Sequence, residues 1–299
     1  MLFRSEFLLG HSPDPDDAFM FYALAENKID TRGHSFQHIL QDIETLNQRA
    51  ARGELHISAV SIHAYAYLTE RYALLPCGAS MGDGYGPMLV SAVEPLADIA
   101  KGGAGAKSAP LQADEIRQWL SKKLVAVPGL RTSAYLALRL FGVPVETVVV
   151  PFDEIFEYVR AGKAEVGLLI HEGQLTYAQE GFHLILDLGQ WWKAETGLPL
   201  PLGGNVIRKD IPPAIRKEVS EILQESIRYG LENRLAGVKH SMPLARGLDL
   251  SQADKFIGMY VNDFTLDYGE TGREAIREFL RRGKEKGILP GAVELEFVD

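Results

Sequence analysis

Short apolar runs ending in polar loops, each followed by a stretch of helical period, set the pattern of this chain. Phe7–Gly10, Phe36–Leu40, Ile57–Val60, Leu124–Val127, Thr147–Val150, Val166–Ile170 and Leu184–Leu188 read as buried strands. Pro87–Ser91 and Asn205–Arg208 read as two further strand crossings. Helices are predicted over Ala18–Ala25, from a cap at Asp42 to near Gly53, over Ile62–Leu68 and Asp114–Ser121, from Thr132 onward, and over Asp153–Ala161. After Asp210 the pattern is mainly helical, at Pro213–Leu231, Ser251–Tyr260 and Gly272–Gly287. This alternation predicts an α/β fold with largely parallel sheets. The two crossings bracket the middle of the chain. They predict a discontinuous first domain (1–91 with 204–299) and an inserted second domain (92–203), with polar loops of both facing a shared ligand cleft. No internal repeat is evident.

Composition narrows the classes. At 299 residues the chain is long enough for two domains of ordinary size. A net charge of −9 and the lack of a basic face exclude nucleic acid as an expected partner. The single cysteine, Cys77, excludes an intramolecular disulfide and a thiolate metal cluster, and its apolar neighbours make it a small buried hydrophobe. No stretch reads as a membrane span, and the opening run MLFRSEFLLGHS has no cleavage signature, so a cytoplasmic protein without a membrane partner is expected. The run 101–110, KGGAGAKSAP, reads as a low-complexity exposed loop. Oligomeric state is not written in the pattern.

The candidate chemistry sits in the loops. His171 and Glu172 follow the Val166–Ile170 strand, at the carboxyl end where open α/β sheets place ligands. His171 is either a strand-end histidine bonded to backbone or a proton-transfer catalyst. Thr132 and Ser133 begin a helix, where hydroxyls and open backbone N–H groups suit simple capping or a carboxylate or phosphate. Ser61 caps the predicted Ile62–Leu68 helix, whose His63 reads as a surface or packing histidine. Asp14, Asp16 and Asp17 precede a helix as expected caps. They lack the glycine and distal glutamate of a calcium loop, so no metal is expected. Gly82–Pro87 is glycine-rich, but a strand follows it where a dinucleotide fingerprint needs a helix, so no nucleotide cofactor is expected. Trp191 and Trp192 predict a helix with one ring buried and one partly exposed. Leu198–Gly204 reads as a stiff segment with a flexible end.

Several of these stretches resemble one family along nearly the whole length: LGHSPDPDDAFMFYAL (9–24), DIETLN (42–47), CGASMGDGYGP (77–87), PGLRTSAYLAL (128–138), LLIHEGQLTY (168–177), DLGQWWKAETGLPLPLGG (187–204) and YVNDFTLDYGETG (260–272). They resemble the 1,4-dihydroxy-6-naphthoate synthase family of the futalosine route to menaquinone. The resemblance implies a cytoplasmic, two-lobed fold like the type II periplasmic solute-binding proteins, with a ligand cleft between the lobes. It implies a cofactor- and metal-free lyase that converts cyclic dehypoxanthinyl futalosine to 1,4-dihydroxy-6-naphthoate and dihydroxyacetone, a small-molecule carboxylate chemistry. On this resemblance His171 is the general base, Ser61, Thr132 and Ser133 anchor carboxylate or hydroxyls, and Asp14, Asp16 or Asp17 orients sugar hydroxyls. The family's first loop usually reads SPCPNDTF. Here Asp14, Asp16 and Ala18 replace its Cys, Asn and Thr, adding negative charge in a loop expected to meet an anion. That departure keeps three alternatives in view: a divergent paralogue with another acidic ligand, a small-molecule binding protein of the same fold, and chorismate dehydratase, whose Asn-containing first-strand loop is not seen here.

Overall fold

The computed structural model describes residues 5–94 and 113–298. The expected loop at 101–110 lies outside them. The chain divides into two compact units, Met1–Gly82 with Pro201–Asp299, and Asp83–Leu200. Each unit is built on one sheet.

The first sheet orders its strands β2-β1-β3-β11-β4, where β1 is Glu6–His11, β2 Ser35–Leu40, β3 Ile57–Ser61, β4 Tyr72–Leu74 and β11 Leu200–Arg208; β5, Ser80–Gly82, also pairs with β11. β3 is buried at all five positions, which is why it reads as a continuous run of small and apolar residues rather than an alternation. β2 lies at the sheet edge and alternates exposed with half-buried positions over most of its length. Leu46 of the helix Ile43–Arg52 packs on Leu55 and Ala59. That helix begins and ends as the sequence predicts. The Asp42 side chain accepts from the Thr45 N–H at 3.0 Å, and Gly53 closes it at φ +73°, a conformation glycine reaches without a Cβ clash.

The second sheet orders its strands β10-β6-β9-β7-β8, where β6 is Met88–Ser91, β7 Leu124–Val127, β8 Glu146–Val149, β9 Val166–Leu169 and β10 His183–Asp187. Its core joins Val90, Ala126, Ile155, Val159, Leu169 and Phe182.

The sheets are mixed rather than largely parallel. β1 pairs in parallel with β2 and β3, and β7 with β8 and β9. The crossing strands run against their neighbours: β11 is antiparallel to β3 and β4, and β6 to β9 and β10. Apolar content identifies a buried strand, but strand direction depends on the path of the connection, which local composition does not encode.

Other expectations are corrected or met locally. The predicted Ala18–Ala25 helix is two short ones, Pro15–Met20 and Tyr22–Ala25, broken at Phe21. The predicted Ile62–Leu68 helix is a single turn, Ile62–Tyr65; Tyr67 and Leu68 then bond to carbonyls three residues back, the tighter spacing that ends α-helix. Leu198–Gly204 has no flexible end, because β11 starts at Leu200 and continues to Arg208. A helix over Arg234–Ser241 follows Pro213–Glu232 without having been anticipated. His63 is a packing histidine rather than a surface one, buried with its ring centroid 6.0 Å from that of Tyr67. Trp192 is fully buried and Trp191 half-buried, on the helix Leu188–Thr196. Cys77 is buried, and burial pushes its thiol up to about 12, so it is not a nucleophile near neutrality.

Candidate active site

In the second unit, the carboxyl ends of the parallel strands β8, β7 and β9 come out at one edge of the sheet. The loop after β7 carries Thr132 and Ser133, the loop after β8 carries Phe152, and the bend after β9 carries His171 and Glu172. Strand pairing therefore sets Thr132 and His171, 39 positions apart in sequence, after the ends of neighbouring strands β7 and β9.

Thr132 caps the helix Ser133–Phe141, accepting from the Tyr135 N–H at 3.2 Å while its own hydroxyl donates to Gly129 O at 3.0 Å. Both Thr132 and Ser133 are buried. The capped helix start keeps first-turn N–H groups aligned, which suits an anionic oxygen. His171 is buried with Phe152 and Phe156 edge-on to its ring at 5.6 Å and 6.0 Å. Its Nδ1 accepts from the Gly173 N–H at 2.9 Å, and Glu172 Oε2 lies 4.0 Å from the same nitrogen.

The first unit has a matching edge, where β2, β1 and β3 end in parallel. The loop after β1 holds the three aspartates, and β3 ends at Ser61. The aspartates do not cap their helix. Asp14 stands at the cap position of Pro15–Met20 without a capping bond, and Asp16 and Asp17 lie inside its first turn. Their side chains are used otherwise. Asp14 accepts from the Ser12 hydroxyl at 2.6 Å and from Arg246 at 2.6 Å, and Arg246 also donates to Pro13 O at 3.1 Å. Asp17 accepts from the Ser12 N–H at 2.6 Å. Burial pushes Asp17 up to about 7 and, together with the neighbouring Asp17 and Asp14, holds Asp16 well above the usual carboxylate range.

Ser61 likewise stands at a cap position without capping. Asn47 grips it twice: the amide oxygen accepts from the Ser61 N–H at 2.9 Å, and the amide nitrogen donates to the Ser61 hydroxyl at 3.1 Å. Beside this edge, His11 Nδ1–H donates to Ser12 O at 3.1 Å, so its Nε2 accepts from His38 Nδ1–H at 3.0 Å. Burial, with His38 adding to it, lowers His11 to about 4.

Asn47, Arg246, His11, Phe152 and Gly173 were not marked by the sequence. Arg246 lies 232 positions from Asp14, a separation at which a single sequence carries no pairing signal. Phe152 has a weak signal, since it follows a strand end as His171 does. Among the described residues no group of three or more His, Cys, Asp or Glu side chains is arranged to hold a metal ion, and no helix is long and apolar enough to cross a membrane.

Residues 7–285 match the family model described as menaquinone biosynthesis. The chain is 35% identical over 288 residues to a 1,4-dihydroxy-6-naphthoate synthase of Streptomyces coelicolor, covering 94% of each chain. It is 35% identical over 280 residues to the synthase of the same name from Thermus thermophilus, again covering 94% of each. A crystal structure of an Archaeoglobus fulgidus protein is similar with a TM-score of 0.83 at 39% identity, over 95% of this chain and 98% of that one. The alkanesulfonate-binding protein of Xanthomonas axonopodis superposes with a TM-score of 0.65 at 8% identity, over 96% and 95% of the two chains. At that identity the likeness carries the fold alone, and the fold is that of the periplasmic binding proteins. Sequence and architecture thus agree, and the chain belongs to the menaquinone biosynthesis family of enzymes.

Proposed function

We propose that this enzyme is a carbon–carbon lyase that converts cyclic dehypoxanthinyl futalosine to 1,4-dihydroxy-6-naphthoate and dihydroxyacetone, in the cytoplasm. The observation that carries this reading is the grouping of His171, Thr132 and Ser133 at one edge of the second sheet. A titratable ring among aromatic side chains suits a flat bicyclic substrate, and the capped helix start suits its carboxylate. In the reaction a sugar hydroxyl loses its proton, and that O–H electron pair forms a carbonyl as the carbon–carbon bond breaks. The electrons of the broken bond pass to the ring system, which becomes aromatic. His171 is the side chain at the reacting atoms; Thr132 and Ser133 anchor the carboxylate.

The first-loop charges do not oppose an anionic substrate. Arg246 compensates Asp14, and burial favours the neutral forms of Asp16 and Asp17. A protonated carboxyl is a donor, so Asp16 and Asp17 hold or orient sugar hydroxyls, as does Ser61 on its Asn47 support. Incubating the purified protein with cyclic dehypoxanthinyl futalosine and following dihydroxynaphthoate by absorbance and mass tests this reading. Product is expected; substrate left unconsumed under conditions where the protein is folded overturns it.

A further inference from the structure

The direction of one hydrogen bond fixes what His171 can do. A backbone N–H always carries its hydrogen, so the Gly173 N–H at 2.9 Å makes His171 Nδ1 the acceptor. A neutral imidazole has one ring hydrogen, and with Nδ1 accepting it sits on Nε2. Placing a hydrogen on Nδ1 would set two N–H groups against each other. Glu172 Oε2, at 4.0 Å, is too far to take such a hydrogen without the ring or the carboxylate moving.

The contact is built in. A Cβ at residue 173 would lie 2.6 Å from His171 Cε1, 3.1 Å from Nδ1 and 2.8 Å from Phe156 Cε2, so only glycine lets this ring lie on this amide. Phe152 and Phe156 fix the ring plane from their own positions. General-base catalysis through Nε2 needs a lone pair there, which this arrangement does not supply.

We infer that His171 acts as a neutral hydrogen-bond donor through Nε2–H, stabilising the oxygen that gains charge as the carbon–carbon bond breaks, with Gly173 as the positioning residue that selects this tautomer. The ring keeps its proton throughout, so the proton released by the sugar hydroxyl passes through water to the oxygen that gains charge, which ends as a hydroxyl of the aromatic product. The inference rests on the lyase reading above and gives its central side chain a different task from the general base expected from sequence. A preorganised donor of this kind strengthens its interaction as negative charge develops.

Substitutions that separate donor from base test it. Glutamine at 171 offers an N–H at the ε position and cannot act as a base; glutamate offers a base and no donor when ionised. The expected result is that His171→Gln turns over at least about tenfold faster than His171→Ala and His171→Glu, with KM little changed. Equal rates for His171→Gln and His171→Ala, or a faster His171→Glu, overturn the inference. Nitrogen-15 spectra of the histidine rings of the wild-type enzyme give an independent readout, with the His171 signal assigned by its loss in His171→Gln. Protonated Nε2 with unprotonated Nδ1 is expected, and the reverse tautomer overturns the inference even if a variant misfolds. Failure of the lyase reading looks different, since the wild-type enzyme itself then makes no dihydroxynaphthoate.

Discussion

The two sheets share one plan and differ in chemistry. In each, three parallel strands run in the order second, first, third (β2-β1-β3 and β8-β7-β9), followed by one strand that runs against them, β11 or β6. The loop after the first strand of the trio carries the aspartates in one unit and Thr132–Ser133 in the other. The third strand leads to Ser61 in one and His171 in the other. One edge offers two carboxyls whose pKa burial raises, beside a paired Asp14–Arg246; the other offers an imidazole, a capped helix start and aromatic walls. Topology settles where functional side chains can stand, and the loop sequences settle what stands there.

The sharpest break in this symmetry is between His171 and Ser61, which occupy equivalent ends. His171→Ala is expected to fold and to lose turnover by about a thousandfold or more, while Ser61→Ala loses about tenfold, chiefly in KM. Steady-state kinetics on both variants decide it. A His171→Ala enzyme with near wild-type turnover would remove His171 from the mechanism.

Burial also gives an acid of one unit and a base of the other opposite pH signs, with Asp16 and Asp17 of the first unit sharing the sign of the acid. Asp187, in the second unit, accepts from the Gly189 and Gln190 N–H groups, yet burial pushes it up to about 6. Its folded pKa exceeds its unfolded one, so the unfolded chain ionises first and stability falls as pH rises from about 4 to about 6. His11 is lowered to about 4, so the unfolded chain takes up protons first and stability falls as pH drops from about 6.5 to about 4. Each effect is at most about 3 kcal/mol. Denaturant unfolding of Asp187→Asn and His11→Gln against wild type, across pH 4 to 7, reads both signs. Asp187→Asn should gain on wild type as pH rises, and His11→Gln as pH falls; parallel curves would refute the burial argument.

Much of this architecture was legible because the relevant signals are local. The Asp42 and Thr132 caps, the fully buried β3 and β9, and the position of His171 past a strand end all follow from short windows. The aspartates and Ser61 were legible as polar loop residues, but not in their roles. A residue at a cap position caps only if no better partner is offered, and Ser12, Arg246 and Asn47 offer one. Those partners come from distant segments, so their effect appears only once the chain is folded.

The Asp14–Arg246 pair tests whether the loop after β1 is electrically quiet. Both side chains are partly exposed, so the pair is worth little in stability, about 1 kcal/mol or less. Its effect should show in binding instead. Arg246→Ala leaves Asp14 uncompensated and is expected to raise KM for the proposed anionic substrate about fivefold at low salt, and less at high salt. The double variant Asp14→Ala with Arg246→Ala should recover most of that loss. If the double variant is as impaired as Arg246→Ala, the arginine acts on the substrate directly rather than through Asp14.

The smallest effect expected separates the two uses of Thr132. Its hydroxyl accepts from Tyr135 N–H of its own helix and donates to Gly129 O of the preceding loop. Thr132→Ala should therefore lose about 1 kcal/mol of stability, the usual worth of such a cap, while Thr132→Ser keeps it. If KM rises in the alanine variant only in proportion to fraying of the helix start, seen as faster amide exchange at residues 133–135, the anchor is the first turn's backbone N–H groups and Thr132 serves by aligning them. If KM rises while exchange there is unchanged, the hydroxyl itself meets the ligand. The first outcome would make the second edge a backbone site set by a cap, and the first edge, with its uncapped Ser61 and aspartates, a side-chain site. The difference between the edges would then lie in whether a cap residue spends its oxygen on its own helix or on a partner elsewhere in the fold.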